Sequence, residues 1–241
     1  MHADVVIVTK TATPQLRLMT EECLVSLGRS EAVPRYRPWL VETQPDVPDY
    51  PSCWMVRPEP EPLNYNRYLN VGASHGVGEI IVFCNNDLLF QPGWLTAHLQ
   101  VFAAHPELAT LGSKSPGYRP QEEFTSGLYP GFRTCFEFSG WCFAMRRSVW
   151  QALDGLSEQF QFWGSDCMTV IQLQRAGLQH ALNADSHVTH LYSQSHQLLP
   201  PGELHRVTEG EIPGVLEERR RLAVGQQPVW PNTPVGAAGC P

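Results

Sequence analysis

The stretch Glu79-Ile80-Ile81-Val82-Phe83-Cys84-Asn85-Asn86-Asp87 decides the fold. Its apolar part is unbroken and shows no alternation, which is how a strand buried on both faces reads. Such strands belong to sheets covered by helices on both sides. The run stops at once in two amides and a carboxylate, so this strand ends where polar groups are presented. A second run of the same kind, Val5-Val6-Ile7-Val8, lies near the start of the sequence and breaks into Thr9-Lys10-Thr11.

Working outward, Thr13-Pro14 reads as an N-cap followed by proline at the first helical position. Leu16, Met19, Cys23, Leu24 and Leu27 follow at helical spacing, with Gly28 as a stop. Residues 31–62 are proline-rich around one short strand, Trp39-Leu40-Val41, and Glu42 comes directly after it. The pattern then predicts a helix over Leu63–Ser74, a helix from Pro92-Gly93-Trp94-Leu95 to about Ala104, and a strand at Leu108–Leu111. Residues 113–134 read as a loop, Phe136–Met145 as a strand, and Ser148–Leu153 and Asp166–Ala176 as helices. Leu178–Leu182 reads as the final strand. Val215–Leu222 reads as a charged helix before a Pro/Gly-rich tail.

Strands alternating with helices predict an α/β fold with a mostly parallel central sheet flanked by helices, in a single domain. Ligands of such sheets bind at the carboxyl ends of the strands. Thr9, Lys10 and Thr11, then Glu42, then Asn85, Asn86 and Asp87, then Asp185, His187 and His190 gather there.

A length of 241 residues suits one such domain, and 42% hydrophobic residues suffice for its core. The net charge of −7 argues against a basic nucleic-acid coat. No apolar run is long enough to span a bilayer, and the apolar run near the start lacks a preceding basic region. A cytoplasmic location is expected. The seven cysteines form no C-x-x-C pair, so most read as small core residues in a reducing compartment. No G-x-G-x-x-G or G-x-x-x-x-G-K-[ST] occurs, which sets aside dinucleotide and P-loop sites.

Asp87 is the sharpest residue. A carboxylate ending an apolar strand is costly to bury unless something matches its charge, and Mg²⁺ or Mn²⁺ is one such partner. The alternative is that Asn85-Asn86-Asp87 is only a turn capping the next element. Asp166 has the same two readings, a general base or a helix N-cap.

Taken in order, Asn66-x-x-x-Asn70-x-Gly72, Gly78 through Asp87, and Pro92-Gly93-Trp94-Leu95 resemble the nucleotide-sugar half of family-2 glycosyltransferases, which have the GT-A fold. Ser139 to Arg147 resembles their acceptor-side strand, Asp154 to Phe160 their G-G-F-D-E-x-F segment, and Trp163-Gly164-Ser165-Asp166 their G-E-D. Arg175-Ala176-Gly177 through His187-x-x-His190 matches their closing strand. The resemblance implies a nucleotide-sugar half over 1–112, an acceptor half over 113–199, and a C-terminal helix and tail over 200–241.

By residue, the resemblance implies that Thr9 and Thr11 line the base pocket and that Glu42 contacts base or ribose. Asn70 would hold the nucleotide, and Asn85 or Asn86 would contact ribose or sugar. Asp87 and His190 would bind Mn²⁺ or Mg²⁺, and Asp166 would be the general base. Among the aromatics on the acceptor side, Trp141 and Trp163 are the expected sugar contacts, with core packing as the alternative. Arg119 and Arg133 fall where the family carries a flap over the donor, and Arg219–Arg221 reads as an exposed helix face.

The implied function is metal-dependent, inverting transfer from a nucleoside-diphosphate sugar, UDP-sugar by default. The acceptor is a hydroxyl of a glycan, small molecule, lipid, protein or modified nucleic-acid base. Asn85 stands where the family has an aspartate, Ser165 where it has a glutamate, and Glu42 where it has an aspartate. The first two motivate a rival reading, a non-catalytic nucleotide- or sugar-binding module. A nucleotidyltransferase is the enzyme rival.

Overall fold

A computed structural model describes residues 1–33, 35–59, 62–191 and 203–225. The strands are β1 (Ala3–Thr9), β2 (Tyr36–Glu42), β3 (Trp54–Val56), β4 (Ile80–Cys84), β5 (Leu88–Phe90), β6 (Leu108–Lys114), β7 (Leu128–Pro130), β8 (Cys142–Arg146) and β9 (Gln179–His190). The helices are α1 (Pro14–Arg29), α2 (Tyr65–Ser74), α3 (Trp94–Ala104), α4 (Arg147–Ala152), α5 (Ser165–Arg175) and α6 (Glu203–Gly225).

All nine strands form one sheet in the order β3-β2-β1-β4-β8-β6-β9-β5, with β7 also on β9. Strands β1, β2, β3, β4, β6 and β9 run one way and β5, β7 and β8 the other, so the sheet is mixed and mostly parallel, as expected.

The unbroken apolar runs have the predicted cause. Val5, Ile7, Ile80 and Val82 join one core cluster with Leu24 and Leu27 of α1 and Leu99 and Phe102 of α3. Their neighbours Val6, Ile81 and Phe83 join a second cluster with Leu69 and Ala73 of α2 and Leu173 of α5. Successive residues thus bury opposite faces, each under its own pair of helices.

Four predicted elements differ. The strand expected over Phe136–Met145 is confined to Cys142–Arg146. Ahead of it, the amides of Phe136 and Phe138 both bond the carbonyl of Arg133, and Arg133 pairs with Glu137, which folds the chain into a tight loop. The final strand runs on from Leu182 to His190, where the polar residues Asn183, Asp185 and Ser186, the first and last of them buried, interrupt the apolar run and hide the strand from an apolar count. The three-residue strands β3, β5 and β7 were unread, and β7 lies inside the expected 113–134 loop. α6 is much longer than Val215–Leu222 and contains Pro213.

Cys23, Cys84, Cys142 and Cys167 are free and buried, and Cys53 is free and half-buried. Cys135 departs from that pattern, being disulfide-bonded. Among the described residues no helix is long and apolar enough to cross a membrane. The Pro/Gly-rich tail lies outside the described residues.

Candidate active site

The ends of β1, β2 and β4 meet at one edge of the sheet, where Thr9 pairs with Glu42 in register. Two buried networks form there. Asn86 Nδ2 donates to the hydroxyls of Thr9 (2.9 Å) and of Thr20 on α1 (3.0 Å). The Glu42 carboxylate accepts the Thr11 amide at 3.1 Å, the Gln44 amide at 2.8 Å and the Thr11 hydroxyl. The structure therefore brings Thr9, Thr11, Glu42 and Asn86 together at the ends of β1, β2 and β4. All four are buried.

Asp87 lies between β4 and β5. β5 pairs antiparallel with the end of β9, Leu88 opposite His190. That register, with the Leu191 amide on the Asp87 carbonyl at 2.9 Å, fixes the neighbours of Asp87. Its Oδ1 is 3.3 Å from His190 Nε2, and the Asp87 side chain is only 2% exposed. Trp141 stacks on the His190 ring, with centroids 5.4 Å apart and planes 10° apart. Trp141 is thus placed as the backing of His190, and its carbonyl accepts the Asn85 amide at 2.9 Å.

Asp166 sits in the first turn of α5. Its Oδ1 accepts the Cys167 amide at 2.7 Å. Burial raises its pKa from the ordinary aspartate value, opposed by hydrogen bonding to Cys167 and by the charge of Arg219. The raised pKa keeps the carboxyl more basic, the direction a general base needs. Gly140 makes room for it: a Cβ there would lie 2.7 Å from the Asp166 Cβ.

Two expected residues have other tasks. Asn70 donates to the Leu156 carbonyl (2.8 Å) and Glu158 (3.1 Å), and accepts from Trp150 Nε1 (3.0 Å) and the Leu156 amide (2.8 Å). An amide side chain offers two donors and two acceptor lone pairs, so Asn70 is consumed in fastening α2 to the 154–158 segment rather than left for a nucleotide. Asn85 Oδ1 accepts the Tyr65 hydroxyl at 2.6 Å. In the loop after β7, Arg133 forks onto Glu137 at 2.8 and 3.1 Å, which commits its guanidinium to the loop. Trp163 is half-buried two residues before α5.

No known family model matches the sequence. The O-antigen biosynthesis protein RfbC of Myxococcus xanthus is 29% identical over 160 residues, 56% of this chain and 12% of that protein. Among solved structures, the mannosyltransferase PcManGT of Pyrobaculum calidifontis, in complex with GDP-Man and Mn²⁺, superposes with a TM-score of 0.63 at 16% identity. It covers 94% of this chain and 65% of the other. TarS 1-349 of S. aureus in complex with UDP superposes at 0.62 and 15%, covering 78% and 59%. The fold is GT-A. This chain spans under two thirds of each of these proteins.

Within the GT-A frame, Asp87 and His190 can be tested as a metal site. An ion with ligands at about 2.1 Å in an octahedral shell holds adjacent donors about 3 Å apart. The 3.3 Å between Asp87 Oδ1 and His190 Nε2 fits two donors sharing one ion. Among the described residues there is no group of three or more His, Cys, Asp or Glu that could hold a metal. Two protein donors leave the remaining positions to water and substrate phosphates, the usual arrangement for Mg²⁺ and Mn²⁺. An imidazole in the set suits Mn²⁺ better than Mg²⁺.

Sequence reading missed Tyr65, Thr20, Glu211 and Arg219. Tyr65 is half-buried, and desolvation raises its hydroxyl pKa well above the ordinary tyrosine value, with the charges of Asp87 and Asp166 pushing the same way. Nothing in its spacing announces this. Glu211 was legible in principle, because Glu211, Val215, Glu218 and Leu222 recur at helical spacing and all are buried. Pro213 masked the pattern.

Proposed function

We propose that this chain is an inverting, metal-dependent glycosyltransferase that moves a sugar from a nucleoside-diphosphate sugar to an acceptor hydroxyl. One observation carries the reading. A buried carboxylate and an imidazole converge 3.3 Å apart at the strand ends of a GT-A fold, and a second carboxylate opens the neighbouring helix. The mannosyltransferase neighbour holds GDP-Man and Mn²⁺, and TarS holds UDP, which supports a nucleotide-sugar donor and a divalent ion.

Asp87 and His190 would hold the ion, Asp87 being the retained carboxylate of an N-N-D variant of the D-x-D motif. The ion supplies positive charge against the negative charge that develops on the departing diphosphate. Thr9, Thr11, Glu42 and Asn86 shape the base and ribose end. Asp166 accepts the acceptor's proton as its oxygen attacks the anomeric carbon and the bond from that carbon to the diphosphate oxygen breaks. Direct displacement needs one catalytic carboxylate and inverts the anomeric centre. Donor-side burial of Trp141 leaves Trp163 as the aromatic for the acceptor side.

Calorimetry with UDP, GDP, dTDP, CDP and ADP, each with and without Mn²⁺, tests the donor end. Binding of at least one diphosphate, tightened by Mn²⁺ and lost in Asp87→Asn, is the expected result. No heat with any of them refutes the reading. Binding without turnover, for a panel of nucleotide sugars and hydroxyl acceptors, would favour the binding module.

A further inference from the structure

We propose that α6 completes the active site, and that its Arg219 is a positioning residue which supplies the counter-charge to Asp166. The inference rests on the reading of Asp166 as general base.

α6 is fastened to the segment that leads into α5. The Glu211 carboxylate accepts the backbone amides of Gln161, Phe162 (3.1 Å) and Gly164 (2.9 Å). These three donors precede the catalytic carboxylate by two to five residues, so one buried side chain sets the path of the loop. Val215 and Leu222 pack with Phe160, Met168 and Ile171 in a separate apolar cluster. Two glycines allow this close approach. A Cβ on Gly164 would lie 2.8 Å from Val215 Cγ2, and one on Gly214 would lie 2.6 Å from the Phe160 ring. Arg175 of α5 and Glu218 of α6 form an ion pair farther along.

This docking brings Arg219 to the start of α5. Its Nη2 is 3.3 Å from Cys167 Sγ, next in sequence to Asp166. The groups that bear on Asp166 are Cys167 on its own helix, Tyr65 on α2 and Arg219 on α6, and Arg219 is the one cation among them. A half-buried base whose ionised form is disfavoured by desolvation needs a match for its charge before the acceptor arrives, and a guanidinium stays charged at every working pH. Arg219 is therefore half-buried for a reason that an exposed helix face does not supply.

The test uses the full chain with Arg219→Met, Arg219→Lys and Arg219→Gln. Carbon-13 NMR titration of the Asp166 carboxyl, assigned with Asp166→Asn, reads the charge coupling without any turnover. The Asp166 midpoint should move up by about one pH unit in Arg219→Met and return most of the way in Arg219→Lys. If Arg219→Met does not fold, Arg219→Gln against Arg219→Lys gives the same comparison. With the active donor pair, the acid limb of kcat/KM should move by the same amount, with diphosphate affinity unchanged. Coincident Asp166 titrations in wild type and the uncharged variant overturn the proposal. Absence of turnover in wild type would instead count against the transferase reading, and the titration would still decide the role of Arg219.

Discussion

Gly140→Ala tests the placement of Asp166 without touching its chemistry. The new Cβ would lie 2.7 Å from the Asp166 Cβ, 3.6 Å from its Cγ and 3.7 Å from its Cα. Carbon atoms in ordinary contact stand about 3.5–4.0 Å apart, so the closest pair must separate by about 1 Å. The atoms met are the root of Asp166, not the tip of a flexible chain, so either the start of α5 or the turn before β8 has to move. Overpacking of this kind costs about 1–3 kcal/mol of stability. A misplacement of about 1 Å at a reacting group costs about 100-fold in rate, equal to about 2.7 kcal/mol of barrier. Gly112→Ala is the control, since its Cβ would meet the Glu137 carbonyl at 2.6 Å. Initial rates, diphosphate affinity and urea unfolding should be measured on both. Gly140→Ala should lose kcat with donor affinity intact, and Gly112→Ala should lose stability without a selective loss of kcat. A Gly140→Ala enzyme as fast as wild type, beside an inactive Asp166→Asn, would refute the claim that this turn holds the base in place.

Asp166→Asn keeps the acceptor atom that bonds the Cys167 amide and removes the base, so kcat should fall about 10²–10⁴-fold with the fold retained; unchanged rates would exclude Asp166 as the base. His190→Ala removes one of two proposed donors and exposes the Trp141 face, so Mn²⁺-dependent tightening of diphosphate binding should vanish in calorimetry. At the other end of the sheet, buried Asp4 takes Arg147 Nη2 (2.7 Å), Trp39 Nε1 (2.9 Å) and the Gly78 amide (2.5 Å). Arg147→Met strands that charge and should cost about 3–5 kcal/mol in urea unfolding, with no direct effect on donor affinity. Burial pushes His98 down to about 3 and His180 to about 4. Both pKa values are depressed on folding, so the folded chain binds fewer protons than the unfolded one below pH 6.5. Their stabilising contribution is complete above that value and is lost as pH falls toward 4 and then 3. The urea midpoint should decline across this window, and less steeply in His98→Gln; parallel slopes would count against the assignment.

The strong strands were readable because burial on both faces leaves no polar residue to interrupt β1 and β4. Thr13, Pro14 and the apolar spacing of α1 worked for the same local reason, and Thr13 does accept the Leu16 amide at 3.3 Å. β3, β5 and β7 were not readable, because three residues carry no period and each strand exists only through its partner. β5 matters most among them, since its pairing with β9 is what brings Asp87 to His190. The polar residues just after β1, β2 and β4 were identified from position alone, and Thr9, Thr11, Glu42 and Asn86 do meet. Asn70 shows the limit of that approach: its spacing in the sequence says nothing about Trp150 and Leu156, which come 80 or more residues later and take up its amide. Arg219 reads as one of an exposed run beside Glu217 and Glu218 in the sequence, whereas in the structure its neighbours Arg220 and Arg221 pair with Glu217 and Arg219 turns to Cys167.

Two aspartates at opposite ends of the same sheet separate structure from function. Asp4 and Asp87 are equally buried, at 1% and 2% exposure. A carboxylate so placed needs its charge matched by something. Asp4 meets a guanidinium, an indole N–H and a backbone amide, and that match is complete within the chain and needs no ligand. Asp87 faces the Nε2 of an imidazole, a group that is itself a metal ligand type, held flat against Trp141. An imidazole fixed in this way matches a carboxylate fully when both share a cation. The proposed metal role of Asp87 makes a sharp demand. Removing Mn²⁺ should lower the melting temperature of wild type through the Asp87 end alone, because Asp87→Asn no longer carries the charge that the ion neutralises. Equal metal-dependent shifts in wild type and Asp87→Asn would move the ion elsewhere and leave the two aspartates alike.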